Sequence, residues 1–224
     1  LQPWDPVRFV LGLRLDYYDE IEEWTFDPRL VSIVSITDDT RIKAGAGMYS
    51  QPPEFQESTK EIGNPNLEPI RSVHLGLGVE HRIIDGIDVG IEGFYKKLWD
   101  RVVGTEGGVP PRFVNRGIGR IYGMELEGRV DPEASPLFGL LSYTLSRSER
   151  RDGPDQRWRL FDYDQTHIFS LAAIYRLPKN WEIGATVRLV SGNPYTPVAE
   201  SVYDANNDVY IPVDGPINSK RSPL

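Results

Sequence analysis

The sequence contains no cysteine, so neither a disulfide framework nor a thiolate-ligated zinc or iron–sulfur site is available to it. Histidine is scarce as well, with only His74, His81 and His167, which leaves little for imidazole-based metal or acid–base chemistry. Basic residues are outnumbered, 25 Lys and Arg against 33 Asp and Glu, for a formal charge of −8. That sign suits a phosphate backbone poorly, and nucleic acid is not an expected partner. No stretch approaches the ~18 consecutive apolar residues of a membrane helix; the nearest are short, such as Phe138 to Leu141. The opening residues, LQPWDP, have neither a basic start nor an apolar segment and do not read as a signal peptide. These absences leave open a membrane β-barrel, whose alternating strands average to a modest hydropathy.

What the chain has in abundance is strict alternation. Val73, Leu75, Leu77 and Val79 are apolar, while His74, Gly76, Gly78, Glu80 and Arg82 between them are small or polar. After Asp85-Gly86 the pattern resumes, with Ile87, Val89, Ile91, Tyr95 and Trp99 on one face and Asp88, Gly90, Glu92 and Lys96 on the other. Phe94 and Leu98 are exceptions. The pair reads as a β-hairpin with two unlike faces. The same period marks strands near 7–17, 41–48, 122–130, 141–145 and 181–189, and less cleanly 29–37 and 166–177. The expected fold is therefore all-β, an up-and-down antiparallel meander of about nine strands.

Alternation alone also fits a soluble, carbohydrate-binding β protein of sandwich or propeller type, in which the apolar set is a dry core. The connections separate the two readings. Short ones at 37–40, 84–86, 131–136 and 178–180 alternate with long ones at 18–28, 50–70, 101–118, 147–165 and 191 onward. All tight turns then fall at one end of a meander and all long loops at the other, the layout of an outer-membrane barrel. The clear runs are long, about 9 to 13 residues, as a tilted membrane strand requires. Aromatic residues form two girdles: Trp4, Phe9, Tyr175 and Trp181 near the short-turn end, and Tyr17, Tyr95, Trp99 and Tyr122 near the other. On this reading the apolar face meets lipid. The face bearing Arg8, Arg14, Arg41, Lys43, Glu80, Arg82, Glu92, Glu125, Glu127, Arg129, Glu182 and Arg188 looks into a wide lumen filled by water or a plug. An odd number of strands does not close a single-chain bacterial barrel, so the 224 residues are expected to be an internal fragment, poorly soluble by itself.

Four stretches resemble the TonB-dependent outer-membrane receptors, in the second half of their barrel domain: PRLVSIVS (28–35), AGAGMYSQPP (44–53), GNPNLEPIRS (63–72) and RLVSGNPYTPV (188–198). The resemblance spans essentially residues 1–224, and Asn64-Pro65-Asn66-Leu67-Glu68-Pro69 is its most specific element. It implies a partial barrel domain of about 22 strands in the complete receptor, located in the outer membrane and closed by a plug. Plug and closing strands are absent from this sequence. It further implies active uptake of a scarce siderophore, cobalamin or oligosaccharide driven by TonB through the plug, without enzyme activity or a resident cofactor. Expected partners are outer-membrane lipid, lipopolysaccharide, TonB and the transported ligand.

Individual residues can be read in more than one way. Asn64, Pro65, Asn66, Leu67 and Pro69, like Ser191, Gly192, Asn193, Pro194 and Tyr195, are family-motif positions explained by turn chemistry at strand ends. Asp204, Asn206 and Asp208 have the first three spacings of a calcium loop, but Val209 and Gly215 stand where glycine and glutamate belong. His74 and His81 face opposite sides of one strand, roughly 23 Å apart, and cannot share a metal. Asp164 and His167 lack a nucleophile partner, so hydrolysis is not expected. Arg112, Arg116, Arg157, Trp158, Arg159 and Tyr163 lie in or beside predicted external loops. They are candidates for holding an anionic chelate or stacking on sugars, or else for binding lipopolysaccharide phosphates.

Overall fold

A computed structural model describes residues 6–105, 107, 110–133 and 135–223. Nine long strands run in chain order, each antiparallel to the next: β1 (Val7–Tyr18), β2 (Glu23–Ser35), β3 (Thr40–Gln51), β4 (Ile70–Ile84), β5 (Ile87–Gly104), β6 (Phe113–Val130), β7 (Leu137–Arg151), β9 (His167–Leu177) and β10 (Trp181–Val190). A two-residue strand β8 (Arg159–Leu160) adds to β7, and the barrel is not closed: β1 and β10 are its edges. Beyond β10, β11 (Pro194–Tyr195) pairs with β14 (Lys220–Arg221), and β12 (Val198–Asp204) forms a hairpin with β13 (Val209–Asp214). Among the described residues the one short α-helix is α1 (Phe55–Ser58), between β3 and β4. No helix among the described residues is long and apolar enough to cross a membrane.

Register carries the alternation across the whole sheet. One lateral row reads Ile42, Val79, Ile91, Leu126, Tyr143, Phe169, Leu189. Such rows are apolar and exposed or half-buried, and on β1 Leu11 is 80% exposed. A sandwich would cover them; here the only large hydrophobic residues buried among those described are Leu67 and Val103. The opposite face carries rows such as Arg41, Glu80, Gly90, Glu127, Ser142, Ser170, Arg188. Phe94 and Leu98, out of phase in the sequence, lie on this charged face, opposite Gly76 and Ser72.

Two expectations about the loop end are corrected. The connection from β1 to β2 is four residues, 19–22, not the long loop expected over 18–28, because β2 begins at Glu23. Pro28, a poor residue for a strand interior, sits opposite Leu13, and the buried Asp27 carboxylate accepts the Ser50 N–H (2.9 Å) and hydroxyl (2.8 Å). Likewise the loop expected over 101–118 is mostly strand: β5 and β6 each run 18 residues, leaving a connection of 105–112. Register shifts after Leu98 and a left-handed Asp100 (φ 54°) let the hairpin bend as it rises. Trp24, within the supposed loop, packs against Tyr17 with the rings tilted and their centroids 5.0 Å apart, and joins that girdle; Trp4 lies outside the described residues.

Candidate functional site

A cavity of about 630 Å³ at the short-turn end of the charged face is lined by Arg41, Glu80, Arg82, Asp88, Glu127 and Arg129 among others. Lys43 ion-pairs with Glu80, and the Ser142 hydroxyl donates to Glu125 at 3.0 Å. Glu92 and Glu125 stand directly opposite each other on neighbouring strands. Facing like charges destabilise a sheet unless water or a cation separates them. Higher on the same face, Arg29 lies over the Tyr49 ring (4.3 Å), which stacks on His74 (4.2 Å).

Above the apolar rows the strands continue into an ion-rich wall. Asp164, 1% exposed, is its hub: it accepts from the Ser148 N–H (2.5 Å) and the Thr166 hydroxyl (3.0 Å), and pairs with Arg221. Arg221 also donates to the Gly192 carbonyl at 3.0 Å, tying β14 to the exit of β10. Arg150 is buried beneath the Phe161 ring (4.4 Å) and donates to the Ser148 hydroxyl (3.1 Å) and Glu149 carbonyl (3.0 Å). Burial, then the charges of Arg101 and Arg159, lower its pKa to about 10, so it remains a cation at neutral pH.

The sequence candidates do not converge on one pocket. Asn64 donates to the Phe113 carbonyl (2.9 Å) and accepts the Asn66 N–H (3.0 Å), an Asx turn. Leu67 and Pro69 are buried. The Asn115 side chain clamps Glu68, accepting its N–H (2.8 Å) and donating to its carbonyl (2.9 Å). Asn115 went unrecognised because its partner is 47 residues away. Ser191 receives the His167 N–H at 3.0 Å; at Gly192 a Cβ would lie 2.0 Å from the Ser222 carbonyl oxygen, so no side chain fits. Asn193 accepts from the Ser222 N–H (3.0 Å), Pro194 is buried, and Tyr195 is exposed in β11.

Arg112, Arg116 and Arg157 are exposed, with no ion pair among the described residues. Arg159 bridges Asp152 (3.0 Å) and Asp162 (3.3 Å); Tyr163 is exposed, edge-on to Phe161. Trp158 lies under Arg120 (4.4 Å) and Arg151 (5.1 Å). The calcium-spaced residues form the β12–β13 turn, where Asp204 accepts from the Asn206 N–H (2.9 Å) and the Asn207 amide (2.8 Å), and Asp208 from the Tyr203 hydroxyl (2.7 Å). No group of three or more potential metal-ligating side chains occurs among the described residues. Asp164 and His167 do not pair, since the His167 Nδ1 bonds the Tyr143 hydroxyl at 2.8 Å.

A meander of long strands with one apolar, largely uncovered face and one charged face defines the class: the wall of a membrane-type β-barrel. The chain belongs to the TonB-dependent receptors, matching the family described as TonB dependent receptor-like, beta-barrel, over residues 1–218. It is similar in fold to a ferric enterobactin receptor mutant from Pseudomonas aeruginosa (TM-score 0.67, 16% identity, 86% of this chain and 31% of that one). It is similar also to the FrpB iron transporter of Neisseria meningitidis (0.63, 15%, 94% and 34%). A third such structure is the outer-membrane ferripyoverdine receptor of Pseudomonas aeruginosa bound to ferripyoverdine (0.64, 14%, 96% and 29%). The chain spans between 25% and 37% of the length of such solved receptors. No curated protein sequence matches it. The family and these neighbours are receptors and transporters rather than enzymes.

Proposed function

We propose that this chain is part of the barrel wall of an outer-membrane receptor that actively takes up a scarce ligand of the siderophore, cobalamin or oligosaccharide type. The supporting observation is the two-faced sheet: outward rows are largely apolar and exposed or half-buried, while the inward face carries the facing carboxylates Glu92 and Glu125, with no ion pair among the described residues. That arrangement suits lipid outside and a polar filling inside. In the complete receptor of about 22 strands, a plug domain occupies the lumen and transmits the pull of TonB, and the remaining strands close the barrel. Lipid and lipopolysaccharide surround the wall. The siderophore class is favoured by the neighbours, whose names record ferric enterobactin, iron and ferripyoverdine.

In this reading Arg112, Arg116, Arg157 and Tyr163, which are exposed, meet the ligand first, and Arg159 is oriented by Asp152 and Asp162. Two measurements test it. An antibody against residues 63–100 should detect, in purified outer membranes, a polypeptide several-fold larger than 25.4 kDa. Cells carrying the complete receptor should accumulate a radiolabelled ferric siderophore only when TonB is present, and Arg112→Glu with Arg116→Glu should weaken its binding. A 25 kDa soluble band would overturn the receptor assignment, and siderophore uptake independent of TonB would overturn the mechanism.

A further inference from the structure

Four charged side chains are buried among the described residues, and three of them are answered. Asp27 accepts from Ser50, Asp164 is matched by Arg221, and Glu149 accepts the Nε groups of Arg120 (2.6 Å) and Arg147 (2.7 Å). The fourth is Arg150, 6% exposed and with no ion pair among the described residues. Its Nη1 donates only to uncharged oxygens, the Ser148 hydroxyl and the Glu149 carbonyl, and its Nε is buried with no hydrogen-bond partner among the described residues. A buried cation without a counter-charge is among the most destabilising arrangements a fold can carry.

The surroundings of Arg150 are themselves cationic. Leu98, Gly119, Arg150 and Arg159 form one lateral row of the charged face, and Arg101 stands beside it, opposite Gly117. Gly119 lets Arg150 lie across β6: a Cβ there would come 3.0 Å from its Nη1 and 3.1 Å from its Nε. The side chain therefore reaches from β7 over β6 toward Arg101 on β5, and the Phe161 ring covers it at 4.4 Å. Arg101 repeats the pattern, with a buried Nη1 that has no hydrogen-bond partner among the described residues and lies 3.9 Å from Asp152. Asp152 and Asp162 are both bonded to Arg159, at 3.0 and 3.3 Å, so neither is spare for Arg150. Three guanidiniums thus share two carboxylates. After burial, the strongest influences on Arg150 are the repulsive charges of Arg101 and Arg159; the attraction of Asp162 and Asp164 comes behind them.

We propose that Arg150, with Arg101 beside it, holds a small inorganic anion of single charge, of which chloride is the abundant example. One charge is what three guanidiniums and two carboxylates leave unmatched. Single N–H groups from separate side chains suit a spherical ion, whereas phosphate is matched by planar forks two oxygens at a time. Asp152 and Asp162 also repel a second negative charge. Water could accept the same N–H groups, but it would leave the charge of Arg150 uncompensated. The ion ties β5, β7 and β8 together on the charged face, as a structural component of the upper wall, whichever ligand the receptor carries.

The test uses the complete receptor purified in detergent. Thermal unfolding is followed as chloride replaces gluconate at constant ionic strength, and crystals soaked in bromide are measured at the bromine absorption edge. The unfolding midpoint should rise with chloride, as it does for any ligand that binds only the folded state, and an anomalous peak should lie beside Arg150 and Arg101. Arg101→Gln should weaken the apparent chloride affinity about tenfold. Arg150→Met, which removes the buried charge, should abolish both the chloride response and the bromide peak, and in gluconate it should be at least as stable as the parent. A purely structural role for Arg150 would instead lower stability equally in both salts. If Arg150→Met does not fold, the parent protein and Arg101→Gln still decide. Equal midpoints in chloride and gluconate overturn the site, as does a bromide peak that is absent or appears only at molar concentration, an adventitious ion only. A carboxylate of the plug found in contact with Arg150 overturns it too.

Discussion

Below the row containing Tyr95 and Tyr122, the outward face is Leu, Val, Ile and aromatic residues with hardly an ion; above it, on the same strands, it is Arg, Lys and Glu. The ladder hydrogen bonding continues through the boundary in β6 and β7, from Val130 opposite Gly139 to Ile118 opposite Arg151. The backbone is therefore indifferent to the change, and what differs is the medium each stretch is built for. In the lower region no packing among the described residues covers the outward rows, so under the proposed function their stability comes from lipid. In the upper region it comes from buried, hydrogen-bonded charges such as Asp164 and Glu149, which lipid would not tolerate unpaired.

Substitutions in the complete receptor, refolded into liposomes and unfolded in denaturant, can break or sharpen that contrast. The largest effect is expected from Leu77→Arg in the middle of the apolar belt, at about 2–4 kcal/mol, whereas Val73→Arg two rows higher on the same strand should cost about 1 kcal/mol or less. Equal costs would mean that the boundary is misplaced. Next, Asp164→Asn should cost about 2–3 kcal/mol, since it leaves Arg221 without its counter-charge and weakens the acceptor of the Ser148 N–H. A loss much smaller than this would show that the upper wall does not depend on its ionic hub.

Two glycines separate steric from solvent effects at a finer scale. A Cβ at Gly123 would lie 2.3 Å from the Leu145 carbonyl oxygen, so Gly123→Ala should destabilise by about 1–3 kcal/mol. At Gly93 the nearest atom would be 4.0 Å away, and Gly93→Ala should stay within about 0.5 kcal/mol. The reverse ranking would overturn the strand registers. The smallest effect belongs to Arg82→Ala, which removes an ion pair with Asp88 at 3.7 Å between half-exposed side chains. Less than about 1 kcal/mol should be lost, and less still in high salt.

Much of the wall was legible in the sequence because a period of two needs no knowledge of partners. The faces of β1, β4, β5, β6 and β10 follow directly from alternation, including the inward Phe94 and Leu98 that broke it. Legibility failed where local chemistry pointed away from a strand. The acidic run before Trp24, with Asp27 and Pro28 behind it, read as loop, although Ser50 on the next strand satisfies Asp27. The upper parts of β5 and β6 read as loop because glycines and arginines interrupt the period. Of the six loop candidates, Trp158 and Arg159 proved to be engaged within the chain, and no periodicity could have announced that.

By itself the sequence determined the order of the long strands and the two-faced character of the sheet, one face apolar and one charged, because alternation needs only neighbours two residues apart. Tertiary structure alone decided which charges meet. Glu149 on Arg120, Asn115 on Glu68, and Asp164 on Arg221 join residues from different strands and loops, up to 57 positions apart. Their pairing depends on register and on where each strand rises out of the apolar belt. Neither quantity is local, so neither is written in the spacing of any one segment.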